Sequence, residues 1–442
     1  MGNDKASVSG RTGMGAVMGA KKLKAIAVRG SGKVEPALPA EYAERRKVVV
    51  AKAKESIITE YLKAQGTNAA MALGMLTGDL PAKNWSLGDN MAGASKIGGE
   101  ALTEQFLTKT HACHGCPVGC KRVVRVTEGP YKVEEGPGPE YEGTASLGSL
   151  LMIDDLAAVI KMNEACNQYG MDVISCGSTI AFAMDCFENG LISSKETDGI
   201  ELKWGDADAV IKMIKKIARR DGFGDLLAEG SRRAAEKIGK NAADYTVEVK
   251  GLEVPMHDPR AGHGIGLAYA TGTRGACHVN DMTWSAEGNL IPSPEIGLNT
   301  PYVGKTSEGK AELVRISQDL GMVVNSGIIC YMLGGVLSVE DWVEMIRTTS
   351  GFDYDANELM ECGERIWLLK RGLDNLMGIT AADDRLPKKI LTPTQEGPAA
   401  GSVPDIALML KEFYKLRDIG ADGRPSKEKL NSVGLSELAA RL

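Results

Sequence analysis

The chain has 442 residues, 43% hydrophobic and 25% charged, which is ordinary for a water-soluble globular protein with room for two or three domains. Its net charge of −6 comes from interspersed acidic and basic residues, so neither nucleic acid nor a membrane surface is indicated as a partner. No run is long and apolar enough to span a bilayer, the polar start Met1-Gly2-Asn3-Asp4-Lys5 lacks the apolar stretch of a signal peptide, and Ala6 replaces the Ser or Thr of a myristoylation signal.

Residues 1–35 read as a Gly-rich loop and then a short strand, Lys24-Ala25-Ile26-Ala27-Val28-Arg29, ended by Gly30 and Gly32. That strand has no evident partner nearby. Pro36 and Pro39 mark a boundary. Helical periodicity covers 40–64 and stops at Gly66. Asp154 reads as the N-cap of a helix through Leu156, Val159, Ile160 and Ala165 that ends near Gly170. A second helix covers 175–189, with Gly190 as its stop, and others cover 207–220 and 225–238. Thr246-Val247-Glu248-Val249 reads as a short strand, and Pro255 and Pro259 place a second boundary within 245–260. Helices are expected again over 311–319, 339–348, 358–373 and 406–416.

The richest chemistry lies in His111-Ala112-Cys113-His114-Gly115-Cys116-Pro117-Val118-Gly119-Cys120. Cys113, Cys116 and Cys120 stand at C-x2-C-x3-C spacing, so three thiolates can converge from one tight loop. Soft thiolates select zinc, copper(I) or iron–sulfur clusters. Two readings stay open at this level: a structural zinc knot completed by His111 or His114, and a cluster completed by a distant fourth cysteine. Cys330, beside Gly327, is the best distant candidate, although a cysteine among aliphatics is more often simply buried. The nine cysteines are odd in number and uneven in spacing, which argues against a disulfide framework and for a reducing cytoplasm.

Three further stretches carry candidate groups. Gly136-Pro137-Gly138-Pro139-Glu140-Tyr141-Glu142-Gly143 holds two carboxylates on a stiff loop. One of them in a pocket could serve as a general base; the plainer alternative is a solvated acidic loop. Arg274-Gly275-Ala276-Cys277-His278 presents one of only five histidines, a candidate acid or hydrogen-bond donor or else a structural residue. Arg11, Gly13, Gly15 and Ala16 form a Gly-rich turn whose backbone N–H groups could meet a phosphate or heterocycle, without matching a Walker or dinucleotide-binding pattern.

Taken in order, these motifs resemble the tungsten-dependent aldehyde:ferredoxin oxidoreductases. The resemblance runs from Arg11 nearly to the carboxyl terminus. It includes Lys21-Lys22-Leu23-Lys24-Ala25-Ile26, the cysteine trio, Gly138-Pro139-Glu140-Tyr141-Glu142, Asp172-Val173-Ile174-Ser175, Arg274 to His278, and Asp422 to Pro425. The resemblance implies a tungsten (or molybdenum) bis-pyranopterin beside a [4Fe–4S] cluster held by Cys113, Cys116, Cys120 and Cys330. It implies pterin contacts at Asn167, Gly170 and Asp172, and at Asn325 and Gly327. Both stretches open with Asn where the family has Asp, and Ile328 stands where Gly is usual. Glu142 matches the family's active-site glutamate and His278 its histidine. The implied reaction is oxidation of an aldehyde to a carboxylic acid, with electrons passed to ferredoxin. A related enzyme acting on an aromatic acyl thioester, and a cluster-only electron carrier, remain as alternatives.

The family carries an amino-terminal β-rich domain, and this chain starts near its end. The expectation is a truncated product or a chain completed by a separate subunit, with a homodimer as the other assembly to consider. The fold class expected is therefore mainly α: a short β remnant over 1–39, then two helical domains over 40–246 and 247–442.

Overall fold

A computed structural model describes residues 2–3, 7–8, 10–291, 293–299 and 301–442. The amino-terminal reading rests partly on Met1, Asp4, Lys5 and Ala6, which lie outside these residues. Among the described residues the chain is mainly helical, with one three-stranded antiparallel sheet and two small antiparallel strand pairs. It forms two units. The first comprises Met1–Val34, Tyr61–Met256 and Thr394–Ala400; the second comprises Glu35–Glu60, His257–Pro393 and Gly401–Leu442. Among the described residues no single helix is long and apolar enough to cross a membrane.

At the centre of the first unit is helix Val173–Glu188, whose run from Ile180 to Met184 is buried throughout. A helix apolar on all sides belongs inside. Asp172 caps it by accepting from the Ser175 N–H at 3.0 Å. Before it lies helix Leu156–Tyr169, whose N-cap is Asp155 (3.2 Å to the Ala158 N–H) rather than the expected Asp154. Asp154 is one residue too early to reach that N–H and pairs with Lys96 instead. Helix Ala207–Arg219 buries Val210, Met213, Ile214 and Ile217 on one stripe. The helix expected over 225–238 is two helices, Phe223–Leu227 and Ser231–Ile238. Gly230, at φ 86°, breaks it, and the Glu253 carboxylate takes the Ser231 N–H and hydroxyl at 2.9 Å each.

The sheet comprises Leu107–His111, Lys121–Val126 and Val133–Pro137, with the middle strand paired on both sides. His111 lies opposite Lys121, and Val124 opposite Gly136. Along the middle strand Arg122, Val124 and Val126 alternate into the interior. Toward the amino terminus two expectations need correcting. The Gly-rich stretch contains helix Met14–Ala20, and residues 24–29 pair with no strand among the described residues. All six are exposed, and an extended segment without a neighbour has no ladder to define it.

In the second unit the helix expected over 40–64 begins as Pro39–Glu55; extended Ser56 interrupts it before Ile57–Gln65 resumes. Val49 packs with Leu320, Val324, Trp342 and Leu359. The central helix, Lys310–Ser326, is longer than the expected 311–319 and also serves a second core through Val314 and Met322 with Trp367 and Phe413. Two buried arginines cross-link this unit. Arg417 pairs with Asp319 at 2.6 Å and lies 4.4 Å over the Trp367 ring. Arg371 grips both Asp384 oxygens at 2.8 Å and donates to the Gly423 carbonyl at 2.9 Å. Gly423 sits at φ 87°, where a Cβ would come within 2.6 Å of the Ala381 nitrogen.

Candidate functional site

The cysteine trio lies on the loop joining strands Leu107–His111 and Lys121–Val126. The Cys116 N–H donates to the Cys113 carbonyl at 3.0 Å, closing a turn. Gly115 and Gly119 hold φ values of 70° and 67°, and a Cβ on either would meet nothing within 4 Å. Open space therefore borders both glycines. Cys113 is exposed, Cys116 and Cys120 are half-buried, and no disulfide joins any of the three. Arg122 fastens the base of the loop by donating to the carbonyls of Gly119 (3.0 Å), Lys63 (2.9 Å) and Ala64 (3.0 Å). Gly66, at φ 67°, permits this approach, since its Cβ would stand 3.0 Å from the Cys120 carbonyl. Three thiols on one short loop, none fully buried, fit the donor set of an iron–sulfur cluster.

Beside this loop the first unit contains a cavity of about 330 Å³. Glu142, Asn167 and Asp172 line it together, with Lys121, Arg122 and Asn163 among the other walls. The buried Asn163 side-chain NH2 has no hydrogen-bond partner among the described residues. An orphaned buried donor at the wall of a cavity that also presents several charged side chains fits a polar heterocyclic ligand. Arg11, Gly13, Gly15 and Ala16 are not among the lining residues. Arg11 donates to the Glu253 carbonyl, Gly13 (φ 76°) precedes helix Met14–Ala20, and Gly15 and Ala16 lie on that helix.

Glu142 occupies the first turn of helix Tyr141–Leu147. Its Oε2 accepts the Met256 N–H at 2.9 Å, while the Tyr141 hydroxyl donates to the Met256 carbonyl at 2.6 Å. Two consecutive side chains thus grip both polar groups of one residue. This clamp was not foreseen, because its partner atoms are backbone and carry no side-chain signature.

In the second unit, half-buried His278 sits in the turn after Gly275, which is at φ 86°. Its ring lies 5.1 Å from that of buried His257, which in turn lies 5.0 Å from Trp284. Arg274 donates to the Cys277 sulfur. Burial pushes the neighbouring Asp281 carboxyl up to about 6. Asn325 donates to the Val279 and Asn280 carbonyls, both at 3.3 Å, and so steadies the segment directly after His278.

The two expected pterin-contacting stretches have the same backbone. In the first, Gly170 is left-handed (φ 71°) and the Met171 N–H reaches back to the Cys166 carbonyl at 2.9 Å; Asp172 then caps the next helix. In the second, Ile328 is left-handed (φ 56°), the Ile329 N–H reaches the Val324 carbonyl at 3.0 Å, and Cys330 occupies the N-cap of Tyr331–Gly334. Gly327 is ordinary αR backbone. The adjacent glycine does not take over the special conformation; Ile328 adopts it.

Residues 44–435 match the family described as "Aldehyde ferredoxin oxidoreductase, domains 2 & 3". The "Tungsten-containing aldehyde ferredoxin oxidoreductase" of Pyrococcus horikoshii is 38% identical over 98% of this chain and 70% of its own length. The "Aliphatic sulfonate oxidoreductase, WOR-like subunit" of Pyrococcus furiosus is 31% identical over 97% of this chain and 66% of its own length. Among solved structures, "Active site complex BamBC of Benzoyl Coenzyme A reductase in complex with 1,5 Dienoyl-CoA" shares the fold, with a TM-score of 0.77 and 20% identity over 97% of this chain and 70% of that one. The chain belongs to the aldehyde ferredoxin oxidoreductase family and is an oxidoreductase of that family.

Proposed function

We propose that this chain takes part in oxidising an aldehyde to its carboxylic acid, with ferredoxin as electron acceptor. The observation that carries the reading is Glu142, a clamped carboxylate at the wall of a cavity that Asn167 and Asp172 also line. Cys113, Cys116, Cys120 and Cys330 would hold a [4Fe–4S] cluster. Asn167, Gly170, Asp172, Asn325 and Gly327, with the backbone of Arg11, Gly13, Gly15 and Ala16, would hold a tungsten or molybdenum bis-pyranopterin. When bound, these groups supply the two-electron chemistry and its division into single-electron transfers.

The chain's own residues supply position and proton transfer. Glu142, held by the Met256 N–H, accepts a proton from the water that attacks the aldehyde carbon. His278 donates a hydrogen bond to the carbonyl oxygen as negative charge develops there. The net change is aldehyde plus water to carboxylic acid, two protons and two electrons.

The test is aldehyde-dependent reduction of a dye or ferredoxin by the metal-loaded enzyme. Glu142→Gln should lower turnover on the order of 10²-fold; unchanged turnover removes Glu142 from the mechanism. The relative named as an aliphatic sulfonate oxidoreductase gives a second reading, so the panel includes an aliphatic sulfonate and an aromatic acyl thioester. Turnover of one of these and of no aldehyde replaces the aldehyde assignment. Iron without tungsten or molybdenum in active electron-carrying protein would favour a cluster-only carrier.

A further inference from the structure

The buried cation at the base of the cysteine loop has no carboxylate partner. Arg122 lies on the middle strand Lys121–Val126, directly after the trio, and is 4% exposed. Its terminal nitrogens donate to the backbone carbonyls of Leu62 (3.3 Å), Lys63 (2.9 Å), Ala64 (3.0 Å) and Gly119 (3.0 Å). It forms no ion pair among the described residues, and its buried Nε has no hydrogen-bond partner among them. Glu140, which lines the same cavity as Arg122, accepts from the Thr67 hydroxyl instead. A guanidinium stays protonated throughout the pH range of a folded protein. A buried charge without a counter-charge is costly, and carbonyl dipoles offset only part of that cost. The loop itself can supply what is missing. The point where Gly66 would carry a Cβ lies 3.0 Å from the Cys120 carbonyl oxygen and 3.3 Å from the Arg122 Nε. The orphaned Nε and the third cysteine of the trio therefore border one spot. Arg122 also lines the cavity that holds Glu142, so its side chain adjoins both the loop and that cavity.

We propose that Arg122 is the built-in counter-charge of an iron–sulfur cluster on this loop, and that its positive charge raises the cluster's reduction potential. The inference rests on the cluster reading given above for Cys113, Cys116 and Cys120. A thiolate-ligated cluster of this kind is a net anion, and the electron it accepts adds a further negative charge. A fixed, buried cation nearby favours the more negative state, so the cluster becomes a readier electron acceptor. Arg122 is a positioning residue and not a ligand: it orders the loop through the Gly119 carbonyl and acts on the electron through its charge. These two actions predict opposite signs on removal. Loss of the charge alone disfavours the reduced cluster and lowers the potential. Loosening of the loop alone lets water reach the cluster, which favours the more highly charged reduced state and raises the potential.

The test is a dye-mediated redox titration of the full chain, purified anaerobically with its metals, with the reduced cluster followed by electron paramagnetic resonance. Arg122→Met and Arg122→Gln remove the charge, and Gln keeps donors for the carbonyls; Arg122→Lys keeps the charge. The midpoint potential of both neutral variants should fall, by on the order of tenfold in the reduction equilibrium, or about 59 mV for one electron. Arg122→Lys should recover most of that shift. If neither neutral variant holds iron, its retention by Arg122→Lys supports the same conclusion, whereas loss of iron from all three variants overturns it. An unchanged potential, a raised one, or an equal fall in all three variants also overturns the proposal and leaves the wild-type cluster reading standing. A wild type that shows no cluster signal, or one whose signal survives Cys116→Ser unaltered, refutes the cluster reading and this inference with it.

Discussion

Replacing Ile328 by glycine should stabilise the protein. Ile328 holds φ 56° and is 93% exposed, so its side chain buries almost nothing while its backbone occupies the left-handed region. That conformation costs an L-residue about 1–2 kcal/mol, and a β-branched residue is among the least suited to it. Glycine removes this cost but adds about 0.5–1 kcal/mol of unfolded-state freedom. The net gain is about 0.5–1 kcal/mol, or roughly 1–4 °C in melting midpoint for a unit of this size. The matching turn supplies the reciprocal change. Gly170 holds φ 71°, and a Cβ there would meet nothing within 4 Å, so Gly170→Ala isolates the backbone cost. It should lose about the same 0.5–1 kcal/mol. Thermal and urea melts of the wild type and both variants, followed by circular dichroism, provide the comparison. A lower midpoint for Ile328→Gly, or an unchanged one for Gly170→Ala, refutes the argument.

Other outcomes follow from buried charges and from the cysteine loop. Burial, then the nearby Lys310 charge, lower the His263 pKa to about 4, and its ring nitrogens lie 2.8 Å from the Ser307 hydroxyl and 2.9 Å from that of Ser402. The fold therefore favours neutral His263: this contribution is complete above the ordinary pKa near 6.5 and is lost as pH falls toward 4, to a limit of about 3 kcal/mol. Melting midpoints across that range should fall less steeply for His263→Gln than for the wild type, and parallel slopes would contradict this. Asp384→Asn removes the carboxylate that both Arg371 terminal nitrogens grip and should cost about 3–5 kcal/mol in urea unfolding; a loss below 1 kcal/mol would mean that other groups or water carry the guanidinium charge. Cys330→Ser should release or convert the cluster, so an unaltered reduced-cluster electron paramagnetic resonance signal would exclude Cys330 as the fourth ligand. Arg122→Met frees the carbonyls of Lys63, Ala64 and Gly119 and should raise proteolysis within the cysteine loop; unchanged cleavage would place the loop's rigidity elsewhere.

Helices with strong periodicity were legible in the sequence, although the one N-cap read, Asp154, was a residue early. Ala207–Arg219 carries its stripe of Val210, Met213, Ile214 and Ile217 openly. The Asp422-to-Pro425 motif also finds a physical basis, since Gly423 offers its carbonyl to Arg371 where no Cβ would fit. Features that depend on distant partners were not legible. The sheet over 107–137 is made of short, Gly-, Pro- and Lys-bearing strands, and it depends on buried Arg122. Residues 24–29 looked like a strand by composition, yet composition does not provide a neighbour. The division expected at 246/247 and the passage between units at 256/257 fall in the same Pro-rich stretch, whereas helix Pro39–Glu55, expected with the first helical domain, groups with the second unit. Glu142, Asn167 and Asp172 were named from motifs, but only the folded chain shows them lining one cavity.

The hold on Met256 has a consequence for how this protein tolerates genetic change. Tyr141 and Glu142 read only the amide and carbonyl of that position, groups that nineteen of the twenty amino acids present alike. Drift at codon 256 can alter packing without releasing the carboxylate, with proline as the one replacement that deletes the donor outright. A carboxylate anchored this way is buffered against mutation of its partner, and sequence comparison at position 256 would understate how much depends on it.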